Sequence, residues 1–169
     1  MRLYPKSRGQ TVKSEIRLAA IIPKKCIVLE LEATENGDAI AELVAKLVDT
    51  GRLPKSQQAA VSKAILAREK LGTTGIGRGI AIPHARLPKV EKLVGALGRS
   101  KTGLDFKSLD GEPIHAVFLF VVPAEPADIA YGLMSRMAEL VRMDNFARFL
   151  QQSETVDALH EVLTDSESW

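Results

Sequence analysis

Leu66-Ala-Arg68-Glu-Lys-Leu-Gly72-Thr73-Thr74-Gly75-Ile-Gly77-Arg78-Gly79-Ile-Ala-Ile82-Pro83-His84 places four glycines in eight residues and follows them with an apolar segment ending in proline and histidine. Two nucleotide-binding patterns are excluded by spacing. A P-loop would need Lys and then Ser or Thr after Gly77, where Arg78-Gly79 stand, and a dinucleotide fingerprint would need glycine at the position of Ile82. The glycines can still turn several backbone N–H groups toward one anion, with the Thr73 and Thr74 hydroxyls beside them, an arrangement suited to a phosphoryl group. Pro83 fixes its own φ and biases Ile82 toward an extended backbone, so His84 is expected to project from a rigid strand end. A neutral imidazole there can attack phosphorus through one nitrogen while the other donates to a carbonyl or carboxylate, without metal or nucleotide. Arg68 and Arg86 are the side-chain cations available to phosphoryl oxygens. Taken alone, these residues favour a structural histidine capped by backbone, and spacing does not overturn that reading.

Outward from this stretch, helices alternate with isolated strands. Ile16 to Ile22 reads as a short helix stopped by Pro23, and Cys26 to Leu31 as a strand. Ile40, Leu43, Val44 and Leu47 recur at helical spacing within 38–48, with Gly51 as the stop. A helix from Ser56, taken as N-cap, to Lys70 carries Val61, Ala64, Ile65 and Leu71 on its apolar stripe. Arg68 shares that inward face, as a site residue or as a snorkelling helix-end arginine. The glycine run reads as a loop feeding a strand, Leu93 to Leu97 as a strand, and Asp110-Gly111 as a turn. Ile114 to Val122 reads as a strand covered on both faces. A helix over 127–143 with Ile129, Leu133, Met137 and Leu140 inward precedes two short helices near 145–150 and 155–163. These elements imply an α/β fold in a single domain with a central β-sheet flanked by helices.

The 169 residues suffice for one ordinary domain. The formal charge of +2 conceals a basic leader: residues 1–26 hold seven basic groups and one acid, and the remainder 16 basic and 20 acidic. Residues 1–14 read as a flexible leader and 15–169 as the domain. Docking of that leader on an anionic membrane or nucleic acid is the weakest of the functional readings. The single cysteine, Cys26, cannot form an intramolecular disulfide or a CxxC site and is expected in the core. The apolar stretch from Leu18 to Ile22 is too short to span a membrane or form a signal core, so a cytoplasmic protein is expected. His115 and His160 are expected to be surface or satisfied structural residues. The sequence has no close-spaced ligand pair to suggest a metal, and no cofactor is expected.

The stretch from Leu66 to His84 resembles the signature of the fructose/mannitol-type enzyme IIA domains of the phosphoenolpyruvate-dependent sugar phosphotransferase system. The nitrogen-regulatory, PtsN-like subgroup is the nearest. The similarity covers about residues 16–165, including Leu29-Glu-Leu-Glu-Ala-Thr34, Asp110-Gly-Glu-Pro113 and Phe118-Leu-Phe-Val-Val-Pro-Ala124. It implies the enzyme IIA fold, with a mixed sheet. It also implies a phosphocarrier whose histidine at the position of His84 accepts a phosphoryl group from an HPr-like protein. In sugar-transporting members the group passes on to a cysteine of an enzyme IIB domain. The resemblance puts the family's phosphate-site arginine on Arg68, and Thr74 and Gly75 on the loop that lines the site. One departure stands out. The family usually carries a second histidine at the start of the helix after Val-Pro-Ala, yet 124–143 contain none. Ile129 or Tyr131 is the nearest substitute by position, and a tyrosine hydroxyl can donate to phosphate but cannot become cationic near neutral pH. Three functional readings follow: a stand-alone nitrogen-type phosphocarrier, a sugar-specific enzyme IIA serving a separate IIB, and a regulatory binding module for kinases, transporters or transcription regulators with phosphotransfer lost.

Overall fold

The computed structural model describes residues 16–169, so the basic leader lies outside the described residues. Helix α1 (Leu18–Ile21) is followed by a 3-10 turn (Lys24–Cys26) and strand β1 (Ile27–Val28). Next come α2 (Asn36–Asp49), a second 3-10 turn (Lys55–Gln57) and α3 (Gln58–Leu71). The strands β2 (Gly75–Gly77), β3 (Ile80–Ala81), β4 (His84–Leu87), β5 (Val94–Leu104) and β6 (Ile114–Pro123) then run together. Helices α4 (Ala127–Arg142), α5 (Asp144–Gln152) and α6 (Val156–Ser166) close the domain.

β6 is the centre of a mixed six-stranded sheet in the order β1-β5-β6-β3-β2, with β4 also on β6. Every residue of β6 except His115 is buried, which requires cover on both faces and explains its near-continuous apolar sequence. β5 pairs with it antiparallel, whereas β3 and β4 pair parallel along its other edge. Ile80 faces Ala116 and His84 faces Phe120, so 80–87 follows β6 in one register. It is interrupted where Pro83 has no N–H to donate. Helix α2 packs on α3 and on β5 and β6, and α3 packs on β4; α4 and α5 pack on β6, and α6 on β1 and α1.

Several boundaries move from their sequence-based positions. β1 keeps only two residues of the expected 26–31 strand, because Cys26 closes the 3-10 turn. Pairing resumes when Leu31 N–H donates to the Arg99 carbonyl at 2.7 Å. Ser56 is not an N-cap: it lies within the second 3-10 turn, and the side chain of Gln57, at the cap position, makes no capping hydrogen bond. Leu71 is 86% exposed, and the buried line of α3 runs Val61, Ile65, Glu69 at four-residue steps, with Arg68 half-buried on its flank. The glycine run is not simply a loop, since Gly75–Gly77 forms a bulged hairpin with β3. β5 extends to Leu104, well beyond Leu97. The fit along β5 is close: a Cβ at Gly98 would lie 2.6 Å from Leu31 Cδ2. Cys26 is fully buried in the core, and Thr155 caps α6 by accepting from the Ala158 N–H at 3.0 Å.

Candidate functional site

The C-terminal end of α3, the glycine hairpin and the start of β4 meet at His84. Parallel pairing with β6 fixes the backbone there, since Phe120 N–H donates to the Pro83 carbonyl at 3.0 Å. The ring is fixed by its own chain: Nδ1 lies 2.7 Å from the Ile82 carbonyl oxygen. A carbonyl can only accept, so Nδ1 carries the proton and the neutral ring has its lone pair at Nε2. Burial lowers the His84 pKa from its usual value and outweighs the Ile82 hydrogen bond, which raises it. The Arg68 charge lowers it further and the Glu69 charge raises it. The imidazole is therefore held neutral, with a nucleophilic nitrogen and a guanidinium close enough to act on its charge.

The glycine hairpin is organised differently from an open anion nest. Glu69 is buried and binds Thr74 twice, accepting the backbone N–H at 3.0 Å and the hydroxyl at 2.6 Å. The Gly75 N–H donates to Thr73 Oγ1 at 3.0 Å, and the Arg78 N–H to Asp110 at 3.2 Å. Thr73 in turn donates to the Phe106 carbonyl. Three of the amides expected to converge on an anion are thus committed within the protein, as is the Thr74 hydroxyl. Ser108 Oγ and Leu109 N–H both donate to the Gly75 carbonyl, tying the hairpin to the Asp110-Gly111 turn. A side chain at Gly75 would come within 3.1 Å of Ser108.

The side-chain cations retain capacity. Arg68 Nη1 donates to the Gly72 carbonyl at 2.9 Å, one use of a group with five N–H donors. Arg86 shares the His84 face of β4 by strand alternation, and its Nη2 donates to the Ala124 carbonyl at 2.8 Å. Tyr131 stands on α4 with 68% of its surface exposed, while Ile129 packs against the core. Glu69 is the site residue the sequence reading missed. Its signal is available in retrospect, four residues beyond Ile65 and eight beyond Val61 on the buried line.

The profile of the phosphoenolpyruvate-dependent sugar phosphotransferase system EIIA 2 family matches residues 20–166. The chain belongs to this enzyme IIA family. A nitrogen regulatory protein of Bradyrhizobium diazoefficiens is 36% identical over 143 residues, covering 85% of this chain and 92% of that protein. The fructose-specific EIIABC component of Bacillus subtilis is 35% identical over 148 residues, covering 88% of this chain and 23% of that longer protein. The crystal structure of the nitrogen regulatory protein IIA-Ntr from Neisseria meningitidis superposes with a TM-score of 0.75 at 29% identity, covering 87% of this chain and 99% of that one. The nitrogen-regulatory resemblance and the mixed-sheet enzyme IIA fold expected from the sequence are both upheld.

The other histidines of this enzyme IIA domain are accounted for by backbone. His115 Nδ1 lies 2.8 Å from the Ser100 carbonyl and His160 Nε2 lies 3.0 Å from the Ala19 carbonyl. Among the described residues no helix is long and apolar enough to cross a membrane.

Proposed function

We propose that this enzyme IIA domain is a cytoplasmic phosphocarrier of the nitrogen-regulatory kind, with His84 accepting a phosphoryl group from an HPr-like protein. The observation that carries the reading is the Ile82 carbonyl on Nδ1, which leaves the Nε2 lone pair free in a ring whose burial disfavours protonation. In the transfer, Nε2 forms a bond to phosphorus as the bond between phosphorus and the donor breaks, and the proton stays on Nδ1, donated to the Ile82 carbonyl. Arg68 balances the charge on the transferring oxygens, with Arg86 as a second donor on the same strand face. Thr74 and Gly75 act as the floor of the site, which Glu69 makes rigid. Leu71, Ile76 and Leu109 are exposed large apolar side chains around the same hairpin and offer a rim for the donor protein.

Incubation with phosphoenolpyruvate, enzyme I and HPr is expected to give an acid-labile, alkali-stable label in wild type and none in His84→Ala. Equal labelling of both, or no label in wild type with a competent donor, overturns the carrier reading. Two observations support neighbouring readings. The match to a fused EIIABC chain favours a sugar-specific domain feeding a IIB partner, which transfer to a IIB acceptor would reveal. The lack of a second histidine in 124–143 favours a regulatory binding module, for which partner binding would be unchanged by His84→Ala.

A further inference from the structure

Arg99 is 3% exposed, and no described carboxylate pairs with it. Its Nε is buried without a hydrogen-bond partner. An unpaired guanidinium is among the costliest groups to bury, so its surroundings should supply an anion. The described residues do not supply one. The nearby carboxylate of Glu30 accepts the Lys101 backbone N–H at 2.9 Å and makes no ion pair with Arg99.

The backbone opens a space beside it. Regular pairing of β5 with β6 breaks between Arg99 and Leu104, and the departing segment is held by His115 Nδ1–H on the Ser100 carbonyl and by Gly103 N–H on Ser100 Oγ at 3.1 Å. The result is a cavity of about 240 Å³ lined by Arg99, Ser100, Lys101, His115 and Gln151. His115 and Gln151 also line a wider cleft with Arg78, Glu112, Asp144 and Arg148, where Asp144 is already paired to Arg78 at 2.6 Å. His84 faces Phe120, five residues along β6 from His115, or about 17 Å at strand rise, so this is a separate place on the molecule.

We propose that the Arg99 cavity is a binding site for a small phosphate-bearing metabolite. The guanidinium takes the phosphate oxygens in its planar fork, Lys101 adds a second positive charge, and the Ser100 hydroxyl and Gln151 amide supply neutral donors. His115, whose Nδ1 proton is committed to Ser100, presents Nε2 as an acceptor for a ligand hydroxyl. The body of the ligand extends into the wider cleft, which Glu112 lines together with Arg148, whose Nη2 already donates to Asn145 Oδ1 at 2.6 Å. Two cationic residues on one cavity lining match a dianionic phosphate better than a single carboxylate. The site does not depend on the phosphocarrier reading of His84.

The test is a titration of the ¹⁵N-labelled chain with inorganic phosphate and with glycerol 3-phosphate, ionic strength being held constant with chloride, followed by NMR. The expected result is a saturable shift of the Arg99 Nε–H resonance together with the Ser100 and Gly103 amides, unchanged in Arg68→Gln. Arg99→Met should abolish the shifts and the phosphate-induced rise in Tm while leaving Tm in chloride equal or higher. The wild-type titration decides the matter even if Arg99→Met does not fold. No saturable shift up to tens of millimolar overturns the proposal. So do shifts confined to residues 72–79 that vanish in Arg68→Gln, or acetate binding as tightly as phosphate.

Discussion

Glu69→Ala is the substitution that most directly tests how the site is built. It removes the acceptor for both the Thr74 N–H and hydroxyl, in a place where Thr74 is only 3% exposed. Hydrogen bonds to a charged group contribute roughly 1.5–3 kcal/mol each, and stranding a buried donor costs a similar amount. The two bonds share one carboxylate and do not simply add, so a total loss of about 3 kcal/mol is expected. For a chain of this length that corresponds to a fall in Tm of roughly 6–12 °C. Glu69→Gln keeps one acceptor and should lose about half as much. The same pair of variants reports on His84. The Glu69 charge raises the His84 pKa, so neutralising it should push that value still lower, read by NMR titration of the imidazole Cε1–H. Urea unfolding supplies the stability and the titration supplies the electrostatics. A stability loss under about 0.5 kcal/mol for Glu69→Ala, the size of an ordinary surface substitution, would refute the organising role. An unmoved His84 titration in Glu69→Gln would refute the electrostatic one.

Three further outcomes are expected. Burial holds the folded His84 pKa below its usual 6.5, so the unfolded chain takes up a proton first as pH falls. This contribution to stability is present above 6.5 and lost as pH drops toward the folded value, and urea unfolding across that window should show a smaller decline for His84→Gln. Tyr131→Phe should leave Tm unchanged, because the side chain is 68% exposed, and slow labelling of His84 by roughly five- to tenfold if its hydroxyl donates to phosphate. Leu109→Asp, at a side chain 79% exposed beside the hairpin, should leave Tm within about 2 °C of wild type. It should weaken phosphorylation through the apparent KM for the donor protein, since the charge falls on the apolar rim and not on the reacting groups.

How far the sequence foretells this arrangement depends on whether a residue's role is set locally. Ile40, Leu43, Val44 and Leu47 repeat at helical spacing and are all buried in α2, and the apolar run of β6 lies covered as its composition requires. β5 is harder to read because Gly95, Gly98 and Gly103 have low strand propensity; it is held as a strand by pairing with β6 over 94–99 and again at Leu104, and with β1 at Leu97 and Gly98. Arg68 and Leu71 were both expected inward, whereas turning α3 to bury Glu69 leaves Arg68 on the flank and Leu71 in solvent. Four-residue steps from Val61 and Ile65 put Glu69 on the buried line, but the helix itself does not show what compensates burial of a glutamate, because Thr74 lies beyond the helix end.

That rotation of α3 also changes which donors can serve phosphate. The glycines invite a reading in which backbone amides cradle the anion, but Glu69, Thr73 and Asp110 already hold the amides of Thr74, Gly75 and Arg78. An internal carboxylate at this position would repel a phosphoryl group if its charge were exposed. Its two oxygens are instead turned onto Thr74, and its helix neighbour Arg68 spends only one N–H on Gly72. The adjacent pair therefore divides the labour: the acid ties the hairpin to the end of α3, and the base keeps N–H donors uncommitted. On the proposed phosphocarrier reading, this arrangement assigns the binding of phosphate oxygens to the guanidinium groups more than to the loop. Arg68→Gln should accordingly lower the labelling rate by more than Thr74→Ala lowers it relative to its cost in stability, measured as initial rate against Tm for the two variants. The opposite order would return the anion to the glycine hairpin.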